Sequence, residues 1–220
     1  MSVSLHRLRT SFLANEALAL PLDETERAAM TAAAAGALGA LFDALRIDHR
    51  NDHNTRDTPG RVARMLVEET LGGRFRTPPS LTAFDNAEGF DQLLVTGPIE
   101  VRSTCAHHMM PIYGEAFIGV LPSPSGRIIG LSKYDRIVEH FASRLQIQEE
   151  LVKQIGQFIM DRTAPRGLAV RISATHMCKT HRGVRATHQS RMVTFCYLGD
   201  FSADPMLRRE FTRECAPVTQ

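Results

Sequence analysis

The order of the elements predicted in the second half of this chain constrains its fold more than any other feature. Two strands are predicted at 98–104 and 112–121, because apolar residues alternate along the second and a turn rich in proline and glycine follows it. Two helices come next, and two long strands at 168–177 and 191–198 complete the pattern. This order predicts an α+β fold, an antiparallel β-sheet with two helices between its hairpins.

Both central helices carry apolar residues at helical spacing. Ser132 and Asp135 form a capping signal for the first helix, and Pro165 with Gly167 ends the second. The residues expected to be buried are Ile137, Val138 and Phe141 on the first helix, and Leu151, Val152, Ile155, Phe158 and Ile159 on the second. We therefore expect the α+β domain, with a C-terminal tail, at 92–220.

A helical region is predicted before this domain, at 23–91. Its first helix spans about 24–47 and starts with a capping-box pattern, in which Asp23 is followed three residues later by Glu26. A second helix is expected to begin at Thr58, whose hydroxyl would cap it while the following proline occupies the first turn. These helices form an N-terminal extension to the α+β fold.

Composition excludes several classes of protein. A net charge of +2 does not indicate a nucleic-acid binder, and no apolar run approaches the roughly 18 residues of a membrane span. Residues 1–22 lack the continuous apolar stretch of a signal peptide, and we interpret them as a flexible N-terminal arm. Four cysteines without a secretion signal favour a cytoplasmic protein with free thiols.

Two short segments combine thiols with imidazoles. Cys105 is followed closely by His107 and His108, at the end of a predicted strand, and His176 lies two residues before Cys178. A cysteine and a histidine from the first segment with a cysteine from the second would make a three-ligand zinc site, the pattern of catalytic zinc. Spacing alone leaves open which of the two adjacent histidines is the ligand.

These segments, with several others, resemble type I GTP cyclohydrolase. The most specific stretches are Gly130-Leu131-Ser132-Lys133, Gln146-Ile147-Gln148-Glu149 and Arg182-Gly183-Val184-Arg185. They occur in the order of that family, and the resemblance covers roughly residues 24 to 212. It implies the tunnelling fold, in which several subunits assemble a barrel, typically as a decamer of two pentameric rings.

The resemblance also implies a reaction. GTP would be hydrolysed at its imidazole ring, with loss of C8 as formate and recyclisation to 7,8-dihydroneopterin triphosphate, a pterin that can feed folate synthesis. Cys105, His108 and Cys178 match the Zn²⁺ ligands of the family, and a water activated at the zinc would attack C8. His107 matches the histidine that protonates a purine nitrogen, and His176 matches one that acts in the later steps.

Substrate residues carry over in the same way. Glu149 matches the carboxylate that accepts hydrogen bonds from guanine, and the basic residues match the triphosphate partners. Ser132 is predicted to be a catalytic residue together with His107 and His176. It starts a helix whose free backbone N–H groups could strengthen an anion site. The residues expected to bind substrate are Glu149, Gln148, Lys133, Arg136, Arg182 and Arg61.

This chain also departs from the family pattern. Ala106 stands where glutamate is usual, and the segment 179–191 lacks the usual apolar and hydroxyl-rich residues. One alternative is therefore a divergent relative that stops after ring opening or acts on a related purine nucleotide. Another is a zinc-stabilised binding protein without catalytic activity, although the retained His107, His176 and Glu149 argue against it.

Overall fold

The structure of the chain, a computed structural model that describes residues 12–215, divides after Thr77 into two units, Met1–Thr77 and Pro78–Gln220. The division lies before the expected boundary at 91/92. Its position follows from a short strand, β1 (Ala83–Asp85), which pairs with β4 (Arg127–Ile129) in the second unit.

The first unit is built on the helix α1 (Glu24–Ala44). The predicted capping box is confirmed, since Asp23 Oδ1 accepts from the Glu26 N–H at 2.8 Å and Glu26 Oε2 accepts from the Asp23 N–H at 3.0 Å. The helix ends before the expected residue 47, because Arg46 has a positive φ of 58°.

The second helix, α2 (Thr58–Arg64), begins where it was expected, but the predicted cap is wrong. Asp57 is the N-cap residue, and it makes no side-chain capping hydrogen bond. The helix continues as a π-helical turn, Met65–Thr70, and a 3-10 turn follows at Gly72–Arg74.

Of the predicted flexible arm, residues 1–11 lie outside the described residues. Residues 12–22 are held to the rest of the unit, because Leu18 and Leu22 donate backbone hydrogen bonds to the carbonyls of Arg74 and Phe75.

The second unit is built around a five-stranded sheet with the strand order β5-β2-β3-β6-β7. The pairs β2–β3, β3–β6 and β6–β7 are antiparallel, as predicted, and only the short β5 runs parallel to its neighbour β2. A Cβ on Gly114 would lie 2.1 Å from the Ser173 carbonyl oxygen, so glycine permits the close approach of β3 and β6. The strands are β2 (Leu94–Cys105), β3 (Pro111–Leu121), β5 (Leu145–Gln146), β6 (Gly167–His176) and β7 (Met192–Gly199).

Two helices bury their apolar faces against this sheet, α3 (Ser132–Ala142) and α4 (Gln148–Thr163). All eight residues predicted to be buried on them are at most 8% exposed. The predicted cap of α3 is wrong, because its N-cap residue is Leu131 and no side chain makes a capping hydrogen bond there. Burial of α3 and α4, at roughly 1.5–3 kcal/mol for each large apolar side chain, outweighs one missing cap.

Two further helices, α6 (Asp200–Ala203) and α7 (Pro205–Glu214), follow β7 in place of the expected tail. Phe201 and Phe211 are fully buried in a second cluster together with Phe117 and Cys215. Cys215, for which the sequence suggested no role, is therefore a core residue. Among residues 12–215, no helix is long and apolar enough to cross a membrane.

Candidate active site

Strand register brings the two metal-binding segments together. The hairpin β2–β3 turns at residues 105–110, and Ile112 at the start of β3 pairs with His176 at the end of β6. The turn after β2 and the short helix α5 (Met177–Thr180), which follows β6, therefore lie at the same end of these strands. Segments about 70 positions apart in sequence meet because β3 and β6 are neighbours.

Cys105, His108 and Cys178 form a group whose ligand atoms all lie within 4.8 Å of one another. Cys105 is buried, Cys178 is half-buried and His108 is exposed, so the group opens on one side. Two thiols and one imidazole are the ligands that zinc and other borderline-soft metals prefer. The predicted metal trio is thus brought together as a possible metal-binding group.

The electrostatics of the trio fit a cation. Burial raises the pKa of the Cys178 thiol, and the neighbouring Cys105 raises it further, whereas Arg182 lowers it. Two thiols at this distance oppose each other's ionisation, and a divalent cation between them would offset that repulsion. The donor set therefore fits a metal better than it fits two ionised cysteines alone.

His107 and His108 are both exposed, and their rings meet edge to face with centroids 6.4 Å apart. Arg182 Nη1 donates a hydrogen bond to His108 Nε2 at 3.1 Å. This bond draws the segment after α5 against the turn after β2. His107 is not part of this group, because of the two histidines only His108 has a ring nitrogen within 4.8 Å of both thiol sulfurs.

Gln148, which is buried, and His176, which is half-buried, form a hydrogen-bonded pair. Gln148 is 1% exposed, and its Oε1 lies 2.7 Å from His176 Nε2. Its Nε2 reaches the carbonyl oxygens of Ile172 and Met192 at 3.1 and 3.0 Å, and Thr194 Oγ1 at 3.0 Å. The amide thus ties the start of α4 to β6 and β7.

Glu149, the next residue along α4, is exposed and lies near His176. Burial lowers the pKa of His176; the charge of Glu149 opposes that shift, and Lys179 adds to it. An imidazole with a lowered pKa is mostly neutral at pH 7, the form that can accept a proton.

The residues predicted for the triphosphate lie at the start of α3. Ser132 and Arg136 are exposed and Lys133 is half-buried. The prediction that the backbone N–H groups are free here is partly wrong. The N–H groups of Lys133 and Tyr134 donate to the carbonyls of Gly130 and Leu131. Any anion here would be bound mainly by side chains.

The divergent segment 179–191 forms a closed loop. Lys179 Nζ donates to Ser190 Oγ at 2.9 Å, and the Ala186 N–H donates to the Lys179 carbonyl at 3.1 Å. The unusual lysine at 179 therefore fastens the loop that carries Arg182.

Arg61 belongs to the first unit, where its exposed guanidinium pairs with Asp57 at 3.2 Å. Its predicted role in binding substrate stays a prediction.

Gln146 supports the site, and sequence reasoning gave it no role of its own. It is 1% exposed, and its Nε2 donates to the Phe141 carbonyl at 2.6 Å and to Gln154 Oε1 at 2.8 Å. The backbone carbonyl of Gln146 accepts a hydrogen bond from the Ala106 N–H at 3.0 Å, and Ala106 directly follows the metal-group residue Cys105. The signal in the sequence was a pair of glutamines, Gln146 and Gln148, two positions apart where an apolar helix begins.

Comparisons with known proteins identify relatives of this chain. A family profile described as GTP cyclohydrolase I matches residues 34–216. The protein named GTP cyclohydrolase 1 from Coxiella burnetii (strain RSA 493 / Nine Mile phase I) is 40% identical over 161 residues, covering 73% of this chain and 86% of the relative. The protein of the same name from Flavobacterium johnsoniae is 41% identical over 161 residues, with 73% and 70% covered.

A third relative, GTP cyclohydrolase 1 from Thermobifida fusca (strain YX), is 41% identical over 154 residues, covering 70% of this chain and 73% of the relative. Among solved structures, the archaeosine synthase QueF-Like in its apo form superposes with a TM-score of 0.37 at 14% identity, over 56% of this chain and 97% of that one. That likeness is too weak to bear on fold or function.

Proposed function

This chain belongs to the GTP cyclohydrolase I family, and on that premise we propose that it hydrolyses the imidazole ring of GTP, releases C8 as formate and forms 7,8-dihydroneopterin triphosphate. The observation that carries the proposal is the thiol–imidazole–thiol group within 4.8 Å, inside the region that matches the family. The product would enter pterin and folate synthesis.

We propose that Cys105, His108 and Cys178 hold Zn²⁺. Their ligand types are those of zinc sites, and three protein ligands leave one coordination position free, as catalytic zinc requires. A zinc ion held by these residues would supply Lewis-acid activation of water, the source of a nucleophile at neutral pH. The thiols must stay reduced to bind the metal, which supports a cytoplasmic location.

The histidines beside the trio would move protons. His107 is exposed next to His108 and can donate a proton to a purine nitrogen as the imidazole ring opens. His176 is held by Gln148 and would act as acid and base in the later steps. Both tasks suit imidazole because its pKa lies close to neutral pH.

Substrate binding would divide between two helix starts. Glu149 at the start of α4 is exposed and can accept hydrogen bonds from the N–H groups of guanine. Lys133 and Arg136 lie three positions apart on α3, so they share one face and can bind phosphate oxygens together with Ser132 and Arg182. We also assign Arg61 to the triphosphate, by resemblance.

We further propose that copies of the chain assemble edge to edge, in the multi-subunit barrel and decamer that the resemblance implies. In the described residues, β7 pairs only with β6, and the residues of β2 before Thr104 pair only with β3. Open strand edges are templates for pairing with another chain. Val193 and Phe195 also expose apolar side chains on one face of β7, and a partner chain that extends the sheet could cover them.

The proposed reaction can be tested by incubating the zinc-loaded protein with GTP and following formate and pterin fluorescence together. We expect both products at equal rates. Formate without a fluorescent pterin would instead support a divergent enzyme that stops after ring opening. Bound zinc without either product would support a binding protein that has lost catalysis.

A further inference from the structure

The side-chain amide of Gln148 has only one chemically acceptable orientation. One end faces two backbone carbonyl oxygens, those of Ile172 and Met192, and the hydroxyl of Thr194. Carbonyl oxygens only accept hydrogen bonds, so the NH₂ group must point toward them, and an amide oxygen there would be repelled. The atom that faces His176 Nε2 at 2.7 Å is therefore the amide oxygen, Oε1.

This orientation determines the tautomer of His176. An amide oxygen cannot donate, so His176 Nε2 must carry the hydrogen of their bond. In a neutral imidazole the other ring nitrogen, Nδ1, then holds the free lone pair. The hydrogen bond on one nitrogen thus decides which nitrogen remains available for proton transfer.

The same contacts leave Gln148 no capacity for substrate. Its side chain is 1% exposed, both N–H bonds are used by protein acceptors, and its oxygen is used by His176. Glu149 beside it is exposed and makes none of these contacts. Turning the amide to meet guanine would break its hydrogen bonds to the two backbone carbonyls and to the Thr194 hydroxyl.

We propose that Gln148 is a positioning residue that holds His176 as the Nε2–H tautomer, and that the side-chain amide of Gln148 does not contact guanine. This replaces the substrate-binding role that resemblance implied for Gln148. The kinetic part of the inference rests on the proposed GTP cyclohydrolase reaction, whereas the tautomer itself does not.

Kinetics of Gln148→Met, His176→Ala and the double variant test the inference first. Methionine keeps the length of the side chain but neither accepts from His176 nor donates to β6 and β7. We expect kcat to fall about 10- to 100-fold, as is typical for loss of a hydrogen-bond partner of a functional histidine, with KM for GTP little changed. The double variant should be no slower than His176→Ala, because Gln148 acts through His176. A raised KM with unchanged kcat, or additive losses in the double variant, would overturn the proposal.

Thr194→Val is the matched control for structural damage. It removes one acceptor of the Gln148 NH₂ group and leaves the bond to His176 in place. We expect kcat and zinc content near those of the unmodified enzyme. If Thr194→Val lowers kcat as much as Gln148→Met, packing of α4 on β7 explains the loss and the positioning role is rejected.

Solid-state NMR of protein labelled with ¹⁵N and ¹³C only at histidine reads the tautomer without any catalytic assay. His176→Ala identifies the signal, which should show Nε2–H in the unmodified chain and a mixture of tautomers in Gln148→Met. An Nδ1–H tautomer at His176 in the unmodified chain would overturn the inference even if Gln148→Met fails to fold. If His176 shows the Nε2–H tautomer but the chain makes no pterin from GTP, the proposed function is rejected and the tautomer assignment stands.

Discussion

The proposed metal side of this site, around Cys105, His108 and Cys178, and the proposed phosphate side, around Arg136 and Arg182, are built in different ways. On the metal side, Cys105 lies at the end of a strand, and Gln146 and Gln148 behind it are each 1% exposed. On the phosphate side, Arg136 and Arg182 are exposed, and Arg182 sits in a loop closed by few hydrogen bonds. The first region is fixed by the sheet, and the second is mostly solvated.

The difference follows from what each side must do. Ligands and proton donors act only within a few tenths of an ångström of the productive geometry, so strand register and buried amides must hold them. Charges that bind a triphosphate act over several ångströms, and flexible cations on a surface suffice. Changes on the metal side should therefore have large effects, and changes on the phosphate side small ones.

The largest effect is expected for Cys178→Ala. Loss of one thiolate leaves two ligands, too few to retain zinc, so bound metal and turnover should disappear together. Metal analysis of the purified protein with a GTP assay measures both. Cys196→Ala is the control, because this cysteine packs against the core away from the trio and should keep zinc. Stoichiometric zinc in Cys178→Ala would refute the ligand set.

His107→Ala should separate chemistry from metal binding. We expect kcat to fall by about 10²- to 10⁴-fold, the range for loss of a general acid, with zinc content unchanged. His181→Ala removes another exposed histidine and should leave kcat unchanged. If turnover survives in His107→Ala, the proton donor is a different group.

A pH effect on stability is expected from His140, which lies behind the metal side at the end of α3. Burial lowers the pKa of His140 to about 4, and Arg144, whose Nη2 lies 2.7 Å from its Nε2, lowers it as well. Below the free value of about 6.5, the unfolded chain binds a proton that the folded chain refuses. The free energy of unfolding should therefore fall by up to ~3 kcal/mol as the pH drops from about 6.5 to about 4.

Urea unfolding across that window measures this slope. His140→Gln cannot titrate but keeps an oxygen that can accept from Arg144, so its stability should depend less on pH. Equal slopes in the two proteins would show that other groups set the pH dependence.

Gln146→Leu should destabilise the support of the metal side by about 1–3 kcal/mol, because the Phe141 carbonyl and the Gln154 amide lose a buried donor. Urea unfolding measures the loss. Gln157→Leu on the exposed face of α4 is the control, with an expected change within about 0.5 kcal/mol. Similar losses in the two variants would mean that the buried bonds of Gln146 contribute little.

The same contrast explains what could be predicted from the sequence. Apolar spacing was sufficient to identify the buried faces of α3 and α4, because one helix face carries the whole signal. Ligand types identified Cys105, His108 and Cys178 as a group, and family resemblance chose between the adjacent histidines. Both inferences use properties that neighbouring residues in the chain display.

The missed features depend on partners far away in sequence. The role of Gln148 follows from its acceptors on β6 and β7, which no local pattern reveals. The helix α7 lies where a C-terminal tail was predicted, and the burial of its Phe211 depends on Phe117 and Phe201. The α3 cap failed because Leu131 takes the N-cap position, so the hydroxyl of Ser132 lies one residue too late.

The smallest effect is expected on the phosphate side, for Arg136→Ala. An exposed cation contributes up to about 1 kcal/mol to an ion pair, so KM for GTP should rise about fivefold while kcat stays unchanged. The difference should shrink at high salt, because ions screen exposed charges. Arg209→Ala removes an equal charge from the exposed face of α7 and should leave KM unchanged. A large fall in kcat for Arg136→Ala would mean that this arginine positions the reacting ring, and the two sides of the site would then not be separable.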